Sequence, residues 1–141
     1  MKRYLFPVLT FITGFLCAIT ITSYSHKQEG FIIQHEKDIE QKEPGSHNGG
    51  GQTLAFSFFN NVPDMHLVFR KRILLPGSSI GYHLQNEDEI YYILKGKGEL
   101  NMNGHIINVQ EGDAILTRPR NSHGLKPAGN DSLSVLINYS K

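Results

Sequence analysis

The 141-residue chain has no tryptophan and one cysteine. That residue, Cys17, lies in an apolar stretch near the N-terminus. A domain formed by the rest of the chain therefore has no disulfide, no thiolate metal site and no thiol nucleophile. Charge of one sign is lacking too: 14 Lys and Arg face 13 Asp and Glu. Without a basic field there is no electrostatic case for binding nucleic acid or an anionic membrane surface. After residue 43 no run of helical period and useful length occurs. There is also no phosphate-cradling loop at a strand-to-helix junction and no convincing Ser-His-Asp order.

Long apolar runs are confined to one place. Lys2 and Arg3 precede "YLFPVLTFITGFLCAITIT", 19 uncharged residues at positions 4–22. A basic start followed by an apolar core is the pattern of a secretory signal, with Ser23 and Ser25 small enough for a cut just before His26. The same run is close to the roughly 20 residues that span a bilayer, so an uncleaved anchor is the competing reading. A lipoprotein is disfavoured because Leu16 stands where that cleavage calls for a small residue. Either export reading places the following domain outside the cytoplasm, periplasmic or extracellular, with any tether to the inner membrane made through residues 4–22. Loss of residues 1–25 removes Lys2 and Arg3 alone among the charges, leaving 12 basic against 13 acidic residues and a net charge of −1.

The chain divides into residues 1–25, the signal or anchor; 26–52, a polar arm; and 53–141, a β domain. His35 to Gln52 is polar and ends in Gly49-Gly50-Gly51, which reads as irregular, with one short strand at Phe31–Gln34 and a weak helical turn over Lys37–Lys42. From Thr53 onward short apolar runs alternate with turn signals, the mark of an all-β domain. Strands are expected at 54–58, 66–75, 79–85, 89–94, 99–102, 105–109, 114–117 and 133–139. Asn103-Gly104 between two alternating runs is a strong hairpin signal, because both residues tolerate positive φ. About eight short strands suit a barrel or a two-sheet sandwich.

Chemistry concentrates in "GYHLQNEDEIYYILKGKG", residues 81–98. Side chains alternate along a strand, so His83 and Gln85 share a face. The "NED" turn reverses the chain, and Glu89 swings back towards the same point. A second histidine, His123, follows another turn in "RPRNSHG". Imidazole nitrogens, an amide oxygen and a carboxylate oxygen converging on one point make a divalent metal site with positions left for water or substrate.

This stretch resembles the cupin superfamily. Its first motif is matched by Gly77, His83, Gln85, Glu89 and Gly96 at the family's spacing, except that Gln85 stands at the second histidine. Gly112 and His123 keep the second motif's separation, although its proline is displaced to Pro119 and its terminal asparagine position holds Pro127. The resemblance covers about residues 53–139. It implies a cupin-type double-stranded β-helix, a jelly-roll barrel, with His83, Gln85, Glu89 and His123 around one divalent ion. Two readings of Gln85 stay open. As a neutral oxygen ligand it tilts the site away from structural zinc and towards iron, manganese or nickel. Alternatively metal affinity has decayed and the pocket binds something else, although a carboxylate such as Glu89 is costly inside a barrel without a cation.

Alternation points Tyr91 and Ile93 inward from Glu89, and Gly81 and Ser79 inward from His83, the small residues leaving room for a ligand. Tyr91 offers a hydroxyl. His47, in "PGSHNGGG", is either an ordinary loop residue or one folded over the barrel mouth; with Tyr91 it is the candidate proton carrier. Arg118 and Arg120 flank Pro119 at the rim, where each is either a solvated rim residue or a partner for a substrate carboxylate. Arg70, Lys71 and Arg72 read as an exposed strand end, and His26, His35, His66 and His105 as surface residues. The apolar outer positions Tyr82, Leu84, Ile90 and Tyr92 suit sheet-to-sheet contact in a homodimer, as the family resemblance implies, and equally suit packing against the N-terminal arm. The functional expectation is an exported metal-dependent protein that binds and transforms an oxygen-rich small molecule, a carboxylate or sugar acid, by isomerase- or dioxygenase-like chemistry; the alternative is a non-catalytic binding module.

Overall fold

The computed structural model describes residues 30–141, so the expected export or anchor helix lies outside the described residues. Among those described, no helix is long and apolar enough to cross a membrane. A β unit spans Ile33–Lys141.

One helical turn, α1 (Glu36–Ile39), leads into ten strands: β1 (Glu40–Gly45), β2 (Gly50–Phe58), β3 (Leu67–Leu74), β4 (Ile80–Gln85), β5 (Glu89–Lys95), β6 (Lys97–Met102), β7 (His105–Gln110), β8 (Ala114–Thr117), β9 (Asn121–Pro127) and β10 (Leu133–Ser140). They form a six-stranded sheet, β1-β2-β3-β10-β5-β8, and a four-stranded sheet, β4-β9-β6-β7. Every pairing is antiparallel. The all-β expectation is met, with eight strands close to their expected bounds.

Period-two patterning explains the layering. In β5, Glu89, Tyr91 and Ile93 are buried while Ile90, Tyr92 and Leu94 are exposed. Leu74, Ile80, Ile93, Leu100, Leu125, Leu133 and Val135 close the space between the sheets. Each fully buried aliphatic side chain contributes roughly 1.5–3 kcal/mol. The Asn103-Gly104 turn joins β6 to β7 as expected, with φ of 51° and 86°.

Three expectations are corrected. First, the polar arm is not irregular throughout. Residues 31–35 have no regular structure, and Gln34 accepts the Phe59 amide through Oε1 at 2.6 Å instead of joining a ladder. Glu40–Gly45 and Gly50–Phe58 pair as a hairpin, whose polar β1 lies at a sheet edge and has no apolar alternation to reveal it. Second, β9 was not expected, because Gly124, Lys126 and Pro127 mask its alternation; it pairs with both β4 and β6. Third, Ser79 and Gly81 do not open space for a ligand beside the candidate metal ligands. The β4–β9 register shifts between Ile80 and His83, so an extra residue flips the side-chain parity and puts Ile80 in the core at 2% exposure. The space beside Gly81 is filled by the turn between β1 and β2: a Cβ there would stand 1.9 Å from the His47 carbonyl oxygen.

Candidate metal centre

Strands β4, β5 and β9 bring three donors together. The Nε2 atoms of His83 and His123 lie 3.2 Å apart, and His123 Nε2 is 2.9 Å from Glu89 Oε2. Adjacent ligands of an ion with bonds of about 2.1 Å stand roughly 3 Å apart, so these separations suit neighbouring corners of one coordination shell. Cross-strand register explains the meeting, since His83 pairs directly with His123 and Glu89 begins the strand after the tight turn. His123 is fully buried and Glu89 is 5% exposed.

The outer nitrogens orient the donors. His83 Nδ1 lies 2.8 Å from the Gly81 carbonyl oxygen, which can only accept. The ring proton therefore sits on Nδ1, and in the neutral ring Nε2 presents a lone pair to the cluster. His123 Nδ1 lies 2.7 Å from Thr117 Oγ1, which can hold that ring in the same sense. Glu89 Oε2 is buried without a hydrogen-bond partner despite its closeness to His123. With the proton of each ring on Nδ1, Glu89 Oε2 faces two imidazole lone pairs, an arrangement that a divalent cation satisfies. His83, Glu89 and His123 could thus hold a metal ion.

Gln85 is 7% exposed and lines the same cavity of about 260 Å³, together with Ser46, His47, Arg70, Arg72, Glu89 and Tyr91. Tyr91 lies against His123, ring centroids 4.9 Å apart. Burial, reinforced by the adjacent Glu89 carboxylate, pushes its phenol well above the ordinary tyrosine value. It is therefore a poor base and a retained hydroxyl donor. His47 does fold over the mouth. It occupies a left-handed turn position at φ 51°, with Asn48 at 60°, closed by a 3.0 Å bond from the Gly49 amide to the Ser46 carbonyl. Its ring stacks on that of His83, and burial followed by the His83 imidazole lowers its pKa below the usual histidine value.

Arg118 and Arg120 are not brought to this cavity. Arg118 pairs with exposed Asp88 at 3.1 Å, and Arg120 is exposed in the turn before β9 at φ 68°. The reading of Arg70–Arg72 as an exposed strand end is overturned: Arg72 is 2% exposed, and both arginines line the cavity. Counting in twos back from buried Leu74 along "RKRIL" carries that signal. Thr117, the partner of His123, has no comparable mark in the sequence.

A family model described as a cupin domain matches residues 71–139. An oxalate-binding protein of Thermotoga maritima is 40% identical over 109 residues, covering 74% of this chain and 90% of the relative. Among solved structures, a predicted oxalate decarboxylase from Thermotoga maritima superposes with a TM-score of 0.69 at 27% identity, covering 77% of this chain and 98% of the other. A putative sugar phosphate isomerase from Acidithiobacillus ferrooxidans gives 0.66 at 20% identity, covering 77% and 74% of the two chains, a likeness of fold. With its β architecture, its His-His-Glu cluster and a relative matched over nine-tenths of its length, this chain belongs to the cupin family.

Proposed function

We propose that this protein binds a small, oxygen-rich carboxylate through one divalent ion held by His83, Gln85, Glu89 and His123. The observation that carries the reading is the unpartnered, buried Glu89 Oε2 facing the two imidazole Nε2 atoms. Gln85 adds a neutral oxygen from the same buried wall, and this mixed nitrogen and oxygen set favours iron, manganese or nickel over zinc. The cavity, about 260 Å³, has room for a small acid. The Thermotoga maritima relative's description as oxalate-binding supports that class.

The ion would supply Lewis acidity, polarising a carbonyl or carboxylate oxygen. The chain's own residues orient and exclude water: Tyr91 donates its hydroxyl from the buried side, and His47 closes the mouth above His83. His47 is the group placed to move a proton during isomerisation or oxygenase-like turnover. The second reading is a non-catalytic binding module, favoured because burial and the adjacent Glu89 carboxylate keep the Tyr91 phenol protonated, so that it orients a ligand instead of accepting its proton. Elemental analysis of untagged protein from its native compartment identifies the ion. Titration of the loaded protein with oxalate and sugar acids tests binding, and a turnover screen of the same compounds separates enzyme from binder. Wild-type protein that takes up no divalent ion would sink the proposal.

Two further parts of the reading rest on sequence and surface. Residues 1–25 direct export to the periplasm or beyond, with residues 4–22 as the membrane tether if uncleaved; N-terminal sequencing of the fractionated protein decides this. Ile90 and Tyr92 on β5 of the six-stranded sheet are 46 and 41% exposed. Tyr82 and Leu84, 53 and 58% exposed, lie on β4 of the four-stranded sheet, so the four do not make the one contact strip expected. The β5 pair is the proposed homodimer contact. Sedimentation of wild type and Tyr92→Asp tests that assignment.

A further inference from the structure

The two arginines that β3 turns into the cavity have different surroundings. Arg72 donates to Glu43 Oε2 and Thr53 Oγ1, each at 2.8 Å, and to the Pro44 carbonyl at 3.4 Å. Its charge is matched within the hairpin. Arg70 stands two residues nearer the mouth. It makes no ion pair among the described residues; the Nε atoms of both arginines are buried without a partner, but only Arg72 has its terminal nitrogens engaged by a carboxylate and a hydroxyl. A guanidinium presents five N–H donors in a planar fork that matches a carboxylate.

Register places that fork. Arg70 pairs across β10 with Ile137, and Ile137 pairs with Tyr91 on β5. The next row joins Val68, Tyr139 and Glu89. Arg70 is thus two strand spacings, roughly 9–10 Å of backbone, from the strand that carries Glu89. Both line one cavity, with Tyr91, Ile137 and Tyr139 between them. The charge balance is also specific. A divalent ion and Glu89 leave +1, and Arg70 raises the interior to +2, while Arg72 is neutralised by Glu43 and Glu87 is exposed at the rim. A monoanion leaves that interior unbalanced; a dianion matches it.

We propose that Arg70 is the carboxylate-binding, specificity-determining residue of this cavity: one end of a small di-acid faces the His83–Glu89–His123 centre, and its second carboxylate pairs in bidentate fashion with Arg70. This inference rests on the metal–carboxylate reading above. It assigns to β3 the role that the rim arginines Arg118 and Arg120 do not fill from outside the cavity.

The test is calorimetric titration of the Mn²⁺-loaded full chain with oxalate, malonate and acetate, in wild type, Arg70→Gln, Arg70→Lys and Arg118→Ala. In Arg70→Gln, oxalate and malonate affinity should fall by about ten- to a hundredfold. Acetate should change by less than about threefold and Mn²⁺ uptake should persist, since Arg70 is not a metal ligand. Arg70→Lys keeps the charge and loses the fork, so it should fall between. If Arg70→Gln does not fold, Arg70→Lys decides: di-acid affinity within about twofold of wild type overturns the proposal. The same holds if Arg70→Gln binds oxalate as wild type does, or if Arg118→Ala costs the larger loss; either outcome leaves the metal–carboxylate reading standing. Loaded wild-type protein that binds none of the three acids overturns that reading and this inference together.

Discussion

The imidazole of His47 lies flat on that of His83, with ring centroids 3.5 Å apart and planes within 2°. One ring comes from a turn, the other from the middle of β4. Because His83 is engaged through Nδ1 at Gly81 and presents Nε2 to the cluster, the contact covers its face and leaves its ligating edge free. The stack holds the ring of a candidate metal ligand in orientation without occupying the nitrogen that would bind an ion. It is bought with backbone strain, since a non-glycine residue in the left-handed region costs about 1–2 kcal/mol.

Replacing His47 therefore separates two effects. His47→Ala loses the stack, worth about 0.5–1.5 kcal/mol, and keeps the strained φ. His47→Gly loses the stack and relieves the strain. The glycine variant should be the more stable of the two in urea denaturation of metal-free protein. Metal affinity should fall by less than about tenfold in either, because the ring is not a ligand.

Gly81→Ala should be among the most damaging single-methyl changes in the domain. Its Cβ would meet the His47 carbonyl oxygen at 1.9 Å, a backbone atom that cannot rotate aside. A loss of about 2 kcal/mol or more is expected, with displacement of His47 from His83 visible in histidine NMR shifts. At Gly77 an added Cβ meets nothing within 4 Å and the cost is the positive φ of 81° alone, so Gly77→Ala should lose about 1 kcal/mol.

Glu89→Gln should reverse sign with metal. In the presence of chelator the variant should melt at or above wild type, because an unpartnered buried carboxylate becomes a neutral amide. With Mn²⁺ added, wild type should gain about 2.7 kcal/mol at a hundred times its Kd, and the variant should gain little. Thermal melts with and without the ion make the comparison.

Thr117→Val removes the only side-chain partner of His123 Nδ1 among the described residues and leaves that nitrogen buried. Metal affinity should fall by roughly ten- to a hundredfold through loss of ring orientation. Thr117→Ser, which keeps the hydroxyl, should restore most of it. Competition with a chromophoric chelator measures both.

Much of the candidate site was legible because its cues are local. Alternation along a strand follows from covalent geometry, so the inward set of β5 could be counted from Glu89, and the spacing of His83, Gln85 and Glu89 about a short turn placed three of the candidate ligands. The same counting applied to β4 failed at Gly81, where the register with β9 shifts. No feature of β4 alone announces an extra residue, because a bulge is a property of two strands. The edge strand β1 was missed for a related reason: it carries few apolar side chains and exists through its ladder with β2.

What the sequence determined by itself is therefore the all-β character, most of the strand positions and the residues competent to hold a cation. Only the tertiary structure decided which other groups face them. It turned Arg70 and Arg72 into the cavity, left Arg118 and Arg120 outside, and set His47 on the ring of His83. Period and turn chemistry act over a few residues and can be read from them. Register between distant strands depends on packing and hydrogen bonding summed over the whole sandwich, and no short stretch of sequence contains that sum.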